Sequence, residues 1–125
     1  MPYILEMKGM RLAIKDEQYP VYKALEELLA RLRKKFRSAA LWYHGLQGLC
    51  YCPCIEIHNR SLADFRRLLA EFTETTSYSL TKRGRRIERA SAVTADFTVS
   101  FDVDHKITIS PVKRVDLDVL APETA

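Results

Sequence analysis

Between Val93 and Val103 the chain alternates without a break. Val93, Ala95, Phe97, Val99, Phe101 and Val103 fall on one side; Thr94, Asp96, Thr98, Ser100 and Asp102 fall on the other. Residues two apart on an extended chain share a face. The pattern therefore predicts a strand with one face on a core and one in water, as in an antiparallel sheet. Asp104 and His105 supply a turn. Ile107 and Ile109 continue on a return strand that Pro111 closes, and Val115, Leu117 and Val119 offer one more edge strand.

Two other segments have a helical period. Val21, Leu25, Leu28, Leu29, Leu32 and Phe36 recur at helical spacing, behind Asp16 as a cap and Pro20 in the first turn. Glu26 and Glu27 come early and the basic residues late, as the helix dipole favours. The expected helix has about five turns. A second helix starts at Ser61, with Asp64 three residues on in a capping-box arrangement. Leu62, Phe65, Leu68, Leu69 and Phe72 form its apolar stripe. Tyr3 to Ile14 reads as one strand or a bent pair hinged near Gly9. Ala39 to Tyr43 and Leu49 to His58 read as strands, with His44, Gly45 and Gly48 in the turn between them. Thr73 to Ser79 has no strong helix former after Glu74. The order β-α-β-β-α, followed by two to four antiparallel strands, predicts an α+β fold. It has a ferredoxin-like start and an added C-terminal hairpin, with both helices on one face of the sheet. Residues 1–120 are expected to form a single domain, with 121–125 a frayed tail.

Charge is unevenly placed. Arg31, Arg33, Lys34, Lys35 and Arg37 include no acid among them, and Lys82, Arg83, Arg85, Arg86 and Arg89 are offset only by Glu88. The two segments together carry +9, so the rest of the chain is −5 against a total of +4. The first cluster is what a helix C-terminus calls for. The second is not explained that way, because an exposed turn around Gly84 has no need of four basic residues. Clustered Lys and Arg neutralise phosphates. Lys82, Arg83, Arg85 and Arg86, joined by Arg33, Lys34 and Arg37, are thus the expected contacts of a non-catalytic module for nucleic acid, a ribonucleoprotein or another acidic partner. Tyr3, Trp42, Tyr43 and Tyr51 are candidate stacking platforms. The alternative is an assembly or inhibitor protein of phage type that pairs through a β-edge.

Other chemistry has weaker support in the sequence. Cys50, Cys52, Cys54, Glu56 and His58 share one face of a strand, but neighbours on that face are about 6.5–7 Å apart. That spacing suits neither a zinc site nor a disulfide, so the thiols are expected to be reduced and metal-free, and no cofactor is expected. Asp96, Asp102, Asp104 and Lys106 have the residue types of a nuclease site but lie where any half-exposed strand and hairpin turn would carry them. Met1-Pro2-Tyr3 before a strand resembles the tautomerase superfamily, in which an N-terminal proline is a general base; the resemblance would make Pro2 the base and Arg11 a carboxylate-binding partner. No second copy of that unit follows. Gln47 to Tyr51 resembles the third-strand motif of RNA-recognition domains, without its first basic and first aromatic residues and with Pro53 interrupting it. No apolar run reaches the roughly 20 residues of a membrane-spanning helix. With three clustered cysteines and no leader-like start, the expectation is a soluble cytoplasmic protein.

Overall fold

The computed structural model describes residues 3–7, 9–46, 50–72, 78–102 and 104–120. Pro2, the 47–49 part of the RNA-recognition-like stretch, residues 73–77, Val103 and the 121–125 tail lie outside them. The chain forms a mixed α+β fold with two helices and a large antiparallel sheet of nine strands among the described residues.

β1 (Tyr3–Met7) and β2 (Met10–Ile14) pair antiparallel. Gly9 between them takes a left-handed φ of +79°, which a residue without a Cβ does at no steric cost. Helix α1 (Tyr19–Leu32) begins with Pro20 in its first turn. Gln18, rather than Asp16, occupies the cap; the Asp16 carbonyl accepts the Tyr19 N–H in the preceding turn. The helix is also shorter than its apolar spacing suggests. After Leu32 the backbone tightens, the N–H groups of Lys35 and Phe36 both reaching the Leu32 carbonyl. Phe36 is nevertheless fully buried, so its burial extends the helical spacing past the helix. Residues 33–37 thus follow α1 instead of ending it.

β3 (Ala40–Leu46) pairs antiparallel with β4 (Cys50–Ile57), from Ala40 opposite Glu56 to Leu46 opposite Cys50. His44 and Gly45 are therefore strand residues, not the turn expected of them. Pro53, which has no N–H to give, lies between the stretches of β4 that pair with other strands on its far side. Helix α2 (Leu62–Leu69) has the expected capping box: Ser61 Oγ accepts the Asp64 N–H, and the Asp64 carboxylate accepts the Ser61 N–H at 3.0 Å.

The alternating run does not form one strand. β6 (Arg86–Val93) ends where the run begins, and β7 (Phe97–Asp102) carries the remainder. Thr94 makes the break: its hydroxyl accepts the N–H groups of Phe97 and Asp96 at 2.9 and 3.3 Å and donates to the Phe97 carbonyl. A local side-chain bond of this kind competes with the ladder. β7 then pairs antiparallel with β8 (Ile107–Pro111), as expected. β6 also pairs with β5 (Ser79–Arg83), and a three-residue β9 (Leu117–Val119) completes the sheet.

The strand order is β1-β2-β9-β4-β8-β7-β6-β5, with β3 on β4. β9 is therefore an interior strand, bonded to β2 on one side and β4 on the other, and not the edge that its position near the C-terminus suggests. In a ferredoxin-like unit the strand before the first helix lies beside a strand after it in parallel. Here β2 lies between β1 and β9, and every pairing among the described residues is antiparallel. The main core joins Leu25, Leu28, Leu32 and Phe36 of α1 and its extension, Phe65 and Leu68 of α2, and strand residues such as Ile55, Val99 and Ile109. A second cluster, Leu12, Ile14, Tyr22, Val115 and Leu117, sits under the β1-β2-β9 end. No helix among the described residues is long and apolar enough to cross a membrane.

Candidate functional site

Two features are built from polar residues that the core does not require. The first is the β5–β6 hairpin. Gly84 and Arg85 form its two-residue tip, with Arg83 opposite Arg86. Gly84 has φ +64° and Arg85 is not in the left-handed region, the pattern of a Gly-X hairpin turn. All five residues of β5 are exposed, as are residues 84 to 86. Thr81 pairs with Arg89 and Lys82 with Ile87, so Glu88 is an extra residue in a bulge, which bends and twists a ribbon at that point. Lys82, Arg83, Arg85, Arg86 and Arg89 make no side-chain hydrogen bond or ion pair among the described residues. A cleft of about 300 Å³ beside the tip of the ribbon joins Arg85 and Arg86 to His105 and to Ser61 at the start of α2.

The residues of the first basic segment are placed differently. Arg33 donates its Nε–H to the Ala39 carbonyl at 2.9 Å, and Lys35 pairs with Glu71. Lys34 and Arg37 are exposed. Arg60 and Arg67 stack over Phe36 at 5.5 and 4.9 Å, next to this segment. The start of α2 is thus near both clusters, Arg60 before it lying on Phe36 and Ser61 and Leu62 lining the cleft with Arg85 and Arg86, a link that spacing along the chain does not reveal. Among the candidate stacking platforms, Trp42 and Tyr3 are exposed, Tyr3 lying on Tyr19 with ring centroids 3.6 Å apart. Tyr43 and Tyr51 pack against the second core cluster, so they are not free platforms.

The second feature lies on the sheet face opposite Ile55, Val99 and Ile109. Pairing sets Glu56 of β4 beside Thr108, Thr108 beside Ser100, Ser100 beside Ser91 and Ser91 beside Ser79, a row of hydroxyls across the sheet. Glu56 is only 3% exposed. Its Oε2 accepts from His44 Nε2 at 2.7 Å and lies 3.8 Å from Cys54 Sγ; its Oε1 accepts from His58 Nε2 at 3.0 Å. Lys106 Nζ is 4.0 Å from Oε2. Burial acts to raise the Glu56 pKa, but the His44 and His58 bonds and the Lys106 charge outweigh it, and the net shift is downward. Glu56 is thus a buried carboxylate held ionised by donors. Burial pushes the Cys54 thiol up to about 12, and the Glu56 charge adds to this. Cys54 is therefore a thiol at neutral pH and a poor nucleophile. Cys52, also raised, first by burial, donates to Asp116 Oδ1 at 3.4 Å.

All three cysteines are free thiols, and β4 places them on one face as their spacing implies. What the sequence reading missed is His44: placed in a turn, it had no route to Glu56. Of the nuclease-type residues, Asp102, Asp104 and Lys106 share the β7–β8 turn, with Asp102 accepting the Asp104 N–H, whereas Asp96 lies in the turn after β6 at the other end of β7. No protein-family model matches the chain, and no characterised protein or solved structure does.

Proposed function

We propose that this protein is a nucleic-acid-binding module whose contact is the β5–β6 ribbon. The observation that carries the reading is the set of five exposed cations on that hairpin, none of whose side chains is bonded to or paired with another described residue. A folded chain has no internal use for charge left this way, whereas a phosphate backbone binds through it, releasing counterions. A two-stranded ribbon also has the width to enter a duplex groove. Lys82, Arg83, Arg85 and Arg86 are the primary contacts. Lys34 and Arg37, both exposed, are secondary candidates, and Arg33 contributes only with the nitrogens that its bond to Ala39 leaves over. The reading takes both helices to cover the Ile55 face, since residues of both join one cluster with it; the hydroxyl-lined face then stays open beside the ribbon.

The test is a titration of duplex DNA and single-stranded RNA at several salt concentrations, for the wild type and for Arg83→Glu/Arg85→Glu. Wild type should bind with an affinity that falls steeply with salt. The double variant should bind at least about tenfold more weakly at low salt, and its salt slope should be smaller by roughly one for each phosphate it no longer neutralises. Its stability should change by only about 0.5 kcal/mol, since the substituted side chains are exposed. Equal binding by wild type and variant would sink the reading. It would turn attention to the exposed β5 edge, which could accept a partner strand.

A further inference from the structure

We propose that His44, Cys54 and Glu56 form a site for one divalent cation of the zinc class on the sheet face opposite Ile55, Val99 and Ile109. One ligand atom from each, an imidazole nitrogen, the thiol sulfur and a carboxylate oxygen, lie within 4.8 Å of one another. Neighbouring thiols along β4 are too far apart to close on a metal, at about 6.5–7 Å. The adjacent strand removes that obstacle. β3 runs beside β4 with His44 opposite Cys52, so the imidazole reaches diagonally to the gap between Cys54 and Glu56.

The donors already converge. His44 Nε2 and Cys54 Sγ both address the same oxygen, Glu56 Oε2, at 2.7 and 3.8 Å. A cation seated among the three would replace the hydrogens that now bridge them. His44 has a half-exposed ring and can withdraw the few tenths of an ångström a metal would need. His58 holds the opposite oxygen, Oε1, at 3.0 Å, orienting the carboxylate as the outer partners of metal ligands do. Imidazole, thiolate and carboxylate form a ligand set that zinc accepts. Three protein ligands leave one tetrahedral position for water, and a cleft of about 240 Å³ bordered by His44, Cys52, Cys54, Thr108 and Arg114 adjoins it. Lys106, 4.0 Å from Oε2, is the competing cation; its flexible stem lets the ammonium move out to water.

The experiment titrates metal-free, reduced full-length protein with Co²⁺, follows absorption, and then displaces the ion with Zn²⁺. The expected result is one Co²⁺ per chain with a thiolate-to-cobalt charge-transfer band that Zn²⁺ removes. Cys54→Ser should abolish the band and Cys50→Ser should keep it. His44→Gln should weaken binding by at least about tenfold, the loss typical when a metal site is impaired. Glu56→Gln should do the same; His44→Gln, changed at a half-exposed ring, carries the test if Glu56→Gln does not fold. No band in wild type, or a band that survives Cys54→Ser, overturns the proposal. Nucleic-acid binding by the ribbon is untouched by either outcome.

Discussion

Glu56 stands out at the residue scale because it is the charged side chain that the fold buries among the described residues. A carboxylate out of water is costly unless donors replace the water; His44 and His58 do so, and Lys106 Nζ, 4.0 Å from Oε2, adds its charge. Removing the charge while keeping the shape leaves those donors facing a weaker acceptor. Glu56→Gln is therefore expected to destabilise the protein by about 1.5–3 kcal/mol, the range for hydrogen bonds to charged groups. Urea unfolding would measure it, and a loss under about 0.5 kcal/mol would mean that the histidines, both half exposed, simply turn to solvent.

Among the elements, α2 depends most visibly on a local motif. It has only eight residues, too few to be stable without its ends and its packing. Ser61→Ala removes the acceptor for the Asp64 N–H and should cost about 1 kcal/mol. Asp64 adds a pH dependence of known sign. The Ser61 N–H, outweighing partial burial and helped by the Ser61 hydroxyl, Arg67 and Arg60, holds its carboxyl below the ordinary 3.8. A pKa depressed by folding stabilises above the unfolded value and is lost as pH falls through the folded one. Part of the acid destabilisation below pH 3.8 should therefore disappear in Asp64→Asn, which thermal melts across pH 2 to 5 would resolve. An unchanged acid limb would remove Asp64 from the account.

The whole molecule is joined at β9. This short strand is the bridge by which the β1–β2 hairpin is bonded to the main sheet, and Leu117 is fully buried in the second core cluster. Leu117→Ala should cost about 2–5 kcal/mol. The loss should also be uneven: amides of β1 and β2 should exchange with solvent before those of β7 and β8, which rest on the larger core. Native-state hydrogen exchange would test this, and uniform loss of protection across the sheet would mean that the two clusters unfold as one unit.

What the chain determines by itself is local. Ser61 and Asp64 mark the start of α2 because a capping box closes within four residues. Gly84 amid basic residues marks the ribbon tip because only short-range backbone geometry is involved. The two-residue period marks β4, β7 and β8 because each strand's faces are set by its own side chains. Tertiary structure decided the rest. It ended α1 at Leu32 while burying Phe36, since the core rewards the side chain whether or not the backbone is helical. It split the alternating run at Thr94, where a hydroxyl satisfies the backbone as well as a neighbouring strand would. It placed β9 inside the sheet, because strand order depends on pairing between residues distant in sequence. The same cause hid the His44–Cys54–Glu56 cluster. Its members come from two strands, and only their register brings an imidazole that reads as part of a turn onto a buried carboxylate.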